Sequence, residues 1–272
     1  MSRSALRTGE LYWTRTDSGG NDLILLHSLG THQGMWEPQL GSLSEIRRVL
    51  AIDLPGHGQS TARPSEYRLE DLGRDVVDVA DEAGLDRFDI CGISIGGLIA
   101  LWLAVTVPDR IGTLVVSNTA ARIGTRELWS QRMEAVAAQG MDGIRSAVIT
   151  RWFGADFARR DPARLAEVER MFMSVDPAGY VGCCAALRDA DLRAAMPSIG
   201  CPTLIIGGDQ DLSTPPAEAE WLNRNITGSR LGIITGAAHL ANLDQPAAFN
   251  RLVMTALVPG RKQEEPVRPA KR

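Results

Sequence analysis

The stretch FDICGISIGGLIALWLAV, residues 88 to 105, sets two periodicities back to back. Its first six residues form a short, largely apolar run, as expected of a strand buried on both sides. From 96 to 107 the chain is almost wholly apolar over a helical length and stops at Pro108, which predicts a buried helix. Between them lies Gly92-Ile93-Ser94-Ile95-Gly96, a G-x-S-x-G. A strand that becomes a helix within so few residues forces the central one into a strained backbone conformation and crowds its neighbours, so glycine is needed on either side. Ser94 is then expected to stand at the sheet edge beside the amides of a helix N-terminus, where negative charge is favoured. It is the candidate nucleophile.

Outward from this junction, short β-rich runs alternate with amphipathic stretches. Residues 23–27 (LILLH), 49–53 (VLAID) and 111–117 (IGTLVVS) read as buried strands, and 69–83 repeats apolar residues at helical spacing. Such alternation predicts an α/β fold with a mostly parallel central sheet and helices on both faces. From 119 to 197 strand signals vanish and helical segments remain, at 126–139, 143–153, 164–174 and 177–190. Strands resume at 203–207 (TLIIG) and 231–235 (LGIIT), followed by a helix through 257. The expected organisation is a core of residues 1–118 and 198–260, an inserted helical cap at 119–197, and a disordered tail at 261–272, whose five cations and two anions show no apolar periodicity.

Composition fits this reading. The 272 residues are 44% hydrophobic and 23% charged, enough to bury a sizeable core. A net charge of −4 argues against a nucleic-acid partner and leaves a small molecule as the expected one. The longest apolar run, 98–105, is far shorter than the roughly 18 to 20 residues a membrane span needs. The first residues, MSRSALRTGELYW, show no secretory pattern, so a cytoplasmic location is expected, with no membrane partner. Cys91, Cys183, Cys184 and Cys201 form no metal-binding spacing, and no metal or organic cofactor is expected.

A serine hydroxyl needs a base, usually a histidine oriented by a carboxylate. His239, in the loop GAAHLANLDQP after the last strand, completes the chain order serine, acid, histidine. The acid should follow strand 203–207, where GGDQDLSTPP offers Asp209 and Asp211. Asp211 is the favoured choice, and Asp209 is expected to shape the loop. Acyl transfer also needs two N–H donors for the oxyanion. Those of Ile95, next to the nucleophile, and of Leu29, in the loop His27-Ser28-Leu29-Gly30, are the candidates.

These motifs, LILLHSLG, DLPGHGQS, CGISIGG, GDQDLSTPP and GAAHLANLDQP, resemble those of the α/β-hydrolases from about residue 23 to 257. Within that superfamily, SNTAARIGT, Arg151-Trp152-Phe153 and the segment 179–193 (GYVGCCAALRDADLR) resemble the 3-oxoadipate enol-lactonases of aromatic-compound catabolism. The resemblance implies an α/β-hydrolase fold and cofactor-free opening of a small anionic lactone under the cap, with Arg151 and Trp152 contributing to substrate binding. A guanidinium suits the carboxylate arm of such a substrate. A general carboxylesterase or perhydrolase, or a carbon–carbon bond hydrolase, would use the same triad. Serine at 94 argues against dehalogenase and epoxide hydrolase readings, which want a carboxylate nucleophile there.

Overall fold

The computed structural model describes the backbone of residues 3–8 and residues 11–63 and 65–258 in full. The tail expected at 261–272 lies outside the described residues.

The described strands form one eight-stranded sheet: β1 (Arg3–Thr8), β2 (Leu11–Thr16), β3 (Asp22–Leu26), β4 (Arg48–Ile52), β5 (Phe88–Ile93), β6 (Ile111–Ser117), β7 (Thr203–Gly208) and β8 (Arg230–Ile234). Their order is β1-β2-β4-β3-β5-β6-β7-β8. The pairs β1–β2 and β2–β4 are antiparallel, and every other pair is parallel. The two antiparallel strands were not anticipated from sequence. β2 buries Leu11 and Trp13 along with Thr14 and Thr16.

β3 and β5 are buried along their whole length, because helices cover both faces of the sheet. On one face, α1 (Glu37–Ser44) packs with α10 (Ala241–Asp244) and α11 (Pro246–Leu257), and α11 crosses β6, β7 and β8. On the other lie α2 (Leu69–Glu82), α3 (Ile95–Thr106) and α9 (Pro216–Asn225). α2 buries the stripe Leu69, Leu72, Val76, Val79 and Ala80. α3, apolar all round, lies along β3, β5 and β6 and is buried from Ile95 to Ala104. Among the described residues, no helix is long and apolar enough to cross a membrane.

Between β6 and β7 the chain is helical: α4 (Arg126–Gln139), α5 (Asp142–Trp152), α6 (Phe157–Arg160), α7 (Pro162–Met173) and α8 (Pro177–Asp189), closed by a 3₁₀ turn (Arg193–Ser198). Here α4 packs on α8 and α5, and α7 on α5 and α6. The insertion carries its own aromatic cluster. Phe153 stacks on Phe157 at 3.9 Å between ring centres, and Phe172 meets Trp152 and Tyr180 edge-on at 5.6 and 5.9 Å. Since β3, β5, β6, β7 and β8 run parallel, the loops following them open at one edge of the sheet, the usual place for ligands in such folds.

Candidate active site

Ser94 sits where β5 turns into α3, with φ 57° and ψ −118°, a left-handed conformation that costs on the order of 1–3 kcal/mol and must be held by its surroundings. The hold is visible. Ser94 N donates to Ser117 O at 3.0 Å, and Ser94 O accepts from Leu98 N at 2.9 Å and Thr119 Oγ1 at 2.7 Å. The flanking glycines are required by space: a Cβ on Gly92 would lie 2.2 Å from Gly96 O, and one on Gly96 would lie 2.3 Å from Leu26 O.

Past β7 the chain carries Asp211 inward, 2% exposed, while Asp209 is exposed and accepts a hydrogen bond from Gly236 N at 2.8 Å. The structure therefore brings Asp211, not Asp209, to His239. The imidazole Nδ1 lies 2.9 Å from Asp211 Oδ2 and 3.1 Å from Oδ1. Asp211 also accepts from the Ser213 and Thr214 amides at 2.8 and 3.0 Å, from Thr214 Oγ1 at 2.7 Å and from Asn118 Nδ2 at 3.0 Å. Burial alone would raise its pKa, but the His239 ring and these donors outweigh it and hold the carboxyl at about 2. With Nδ1–H given to Asp211, Nε2 carries no hydrogen bond among the described residues, and neither does the Ser94 hydroxyl. Ser94 and His239 line one cavity of about 80 Å³.

The loop after β3 forms another wall through Ser28 and Leu29. Gly30 adopts φ 84°, closing a turn in which Thr31 N bonds Ser28 O at 3.1 Å. The amides of Leu29 and Ile95 donate to no other described residue. Two fully buried imidazoles brace this loop. His27 Nδ1 donates to Ser28 O at 2.8 Å while Nε2 accepts from Leu54 N at 2.9 Å. His57 Nδ1 donates to Pro55 O at 3.0 Å while Nε2 accepts from Gly30 N at 3.1 Å. Burial drives both pKa values down to about 3, and His27 adds to the effect on His57. His32 caps a 3₁₀ turn by accepting from Gly34 N, so of the four histidines only His239 reaches the cavity.

The helical insertion supplies the roof. Trp129 and Arg132 come from α4, Arg151 and Trp152 from the end of α5, and Tyr180 from α8. Arg151 is exposed, and Trp152 is buried against Phe172. Among the described residues no acidic side chain lines the cavity, and Asp211 stands behind His239.

One segment of the insertion is sewn to the loop that carries His239. Leu240 N donates to Trp152 O at 2.9 Å. The buried Asp244 accepts from Gly154 N and from Ala238 N, both at 2.9 Å, and pairs with Arg160. Asp244, Asn118, Thr214, Arg132 and Tyr180 were not singled out from sequence. Asn118 left one signal, since asparagine directly after a strand suits the left-handed φ of 47° that it adopts.

Comparison with known proteins agrees with this fold. The family model described as alpha/beta hydrolase fold matches residues 22–246. The 3-oxoadipate enol-lactonase 2 of Acinetobacter baylyi is 36% identical over 231 residues, 85% of this chain and 86% of that protein. The 3-oxoadipate enol-lactonase 1 of the same organism is 38% identical over 228 residues, covering 84% and 85%. Among solved structures, the enol-lactonase from Burkholderia xenovorans LB400 matches with a TM-score of 0.90 and 36% identity, over 93% of this chain and 99% of that one.

Proposed function

The chain belongs to the alpha/beta hydrolase fold family, and from that premise we propose that it opens 3-oxoadipate enol-lactone to 3-oxoadipate, with Ser94, His239 and Asp211 as its triad. The observation that carries this reading is the placement of Ser94 and an imidazole Nε2 on one small cavity that has arginines and no acids in its wall.

His239 Nε2 takes the Ser94 proton as Oγ attacks the lactone carbonyl. Asp211 keeps the imidazole in the tautomer that can accept this proton and stabilises the imidazolium that forms. The amides of Leu29 and Ile95 receive the oxyanion, each worth about 2.7 to 4 kcal/mol to the transition state. As the tetrahedral intermediate collapses, the ring C–O bond breaks and the imidazolium returns its proton to the departing oxygen. That oxygen leaves as an enol, more easily than an alkoxide would, and ketonises. Water, deprotonated by His239, then attacks the acyl carbon and frees Ser94. The open link between Ser94 and His239 suits a resting enzyme, since such hydrogen bonds often tighten only when substrate binds. Trp152 walls the cavity, and Arg151 places positive charge at its exposed side.

A cavity of about 80 Å³ is well below the roughly 300–1,000 Å³ of drug-sized sites and favours a small lactone over the larger dienoates of carbon–carbon bond hydrolases. The relatives named as 3-oxoadipate enol-lactonases support the same substrate. Steady-state hydrolysis of the enol-lactone beside p-nitrophenyl acetate tests the reading. We expect kcat/KM for the lactone to exceed that for the ester by well over tenfold, which is about 1.4 kcal/mol of transition-state discrimination. A smaller ratio would make the protein a general esterase.

A further inference from the structure

We infer that Arg132 and Tyr180 together form the seat for a carboxylate of the substrate. This assignment rests on the hydrolase reading above and narrows it: the site is built for an anionic acyl group, and the cation that grips it comes from α4 and not from the end of α5.

Arg132 is half-buried on α4, and Tyr180, only 1% exposed, faces it from α8. Arg132 Nη1 donates to Tyr180 Oη at 3.3 Å, and both side chains line the cavity that holds Ser94 and His239. The tyrosine oxygen is thus an acceptor for the arginine, and its own O–H has no acceptor among the described residues. Burial raises the Tyr180 pKa well above that of an ordinary phenol, so this proton stays in place. The remaining guanidinium N–H groups have no ion pair among the described residues. Elsewhere in the chain, partly buried arginines are matched with carboxylates: Arg47 with Asp89 at 2.7 Å, Arg48 with Asp22 at 2.6 Å and Arg110 with Asp81 at 2.7 Å.

A cation and a phenol O–H that converge on an acid-free cavity, with donors unspent, are complementary to a carboxylate, which accepts several charge-assisted hydrogen bonds at once. Arg151 lines the same space but is exposed and held by no hydrogen bond among the described residues. An anchored guanidinium loses less freedom on binding than a loose one, so Arg132 is the better seat.

The test compares an anionic with a neutral ester of one leaving group, mono-p-nitrophenyl glutarate and p-nitrophenyl butyrate, in the wild type and in Arg132→Gln, Arg151→Gln and Tyr180→Phe. In Arg132→Gln the ratio of kcat/KM, anionic over neutral, should fall by about 10- to 100-fold, chiefly through KM, as expected for the loss of hydrogen bonds to a charged group. Tyr180→Phe, which keeps the ring and removes only the hydroxyl, should lower the same ratio by about 3- to 10-fold and serves if Arg132→Gln does not fold. A ratio unchanged within twofold in both variants, or a drop confined to Arg151→Gln, would overturn the seat. Because neither ester is a lactone, a wild type without lactone preference would refute the lactonase reading and still leave this ratio to report on Arg132.

Discussion

Replacing Ser94 by alanine is expected to lower kcat by about 10⁶-fold, the order seen when a serine hydrolase loses its nucleophile. The loss is so large because the remaining parts lack a substitute. His239 would have to activate water directly, and the amides of Leu29 and Ile95 would be left to stabilise an adduct that forms rarely, a residual advantage of about 10³ to 10⁴ over water. The fold should survive. The Ser94 hydroxyl makes no hydrogen bond to a described residue, the strained turn is held by Ser94 backbone groups, and alanine adds no atoms near Gly92 or Gly96. Pre-steady-state assays with p-nitrophenyl acetate, alongside thermal unfolding, make the check: a folded variant that retains a burst and a rate within tenfold of wild type would place the nucleophile elsewhere.

Asp211→Asn should cost about 10⁴ in kcat, with KM changing far less, because the residue stands behind the imidazole and does not line the cavity. An amide in this place can turn its NH₂ toward Nδ1, which drives the ring proton to Nε2 and leaves no lone pair for the serine proton. The other donors sharpen the effect: the Ser213 and Thr214 amides point at Oδ1, and Thr214 Oγ1 and Asn118 Nδ2 at Oδ2, so whichever end carries the NH₂ of an asparagine leaves donors facing donors. Asp209→Asn should change kcat by less than about tenfold, as among the described residues its side chain bonds to the Gly236 amide of the neighbouring loop and not to His239. Steady-state kinetics on the two variants decides between them, and a larger loss at Asp209 would reverse the assignment of the orienting acid.

What could be read from the sequence followed the range of the interactions. The turn at Ser94 was legible because its cause is local: Gly92 and Gly96 lie within two residues of the serine they serve. Helices α2, α3 and α4 were legible from apolar spacing and from Pro108. α1 and α9 escaped notice because each is short and begins in a stretch that reads as turn, EPQLG and PPAEA. β1 and β2 are hard to read because each is only six residues long and mixes arginine and threonine with its apolar positions. In the site, Asn118 and Asp211 are 93 residues apart, so their hydrogen bond left no trace in spacing. Arg132 was hidden for another reason. In an arginine-rich insertion, only three dimensions separate the cation facing a cavity from those paired on the surface, such as Arg126 with Asp189 and Arg164 with Glu167.

The paired imidazoles under the Leu29 loop bear on how the molecule meets acid. His27 and His57 lie 5.2 Å apart between ring centres, with Asp53 and His32 as their charged or titratable neighbours. In the folded chain each resists protonation until about pH 3, against an ordinary value of 6.5. The folded pKa values are the lower ones, so stability is full above pH 6.5 and declines as pH falls toward 3, where the unfolded chain holds up to two protons that the native one refuses. The decline approaches about 2.7 kcal/mol per pH unit for the pair. Urea midpoints should therefore drop sharply between pH 6 and pH 4 (about two units of titration), so that mild acidification undoes the Leu29 loop by unfolding the chain before it can charge the rings in place.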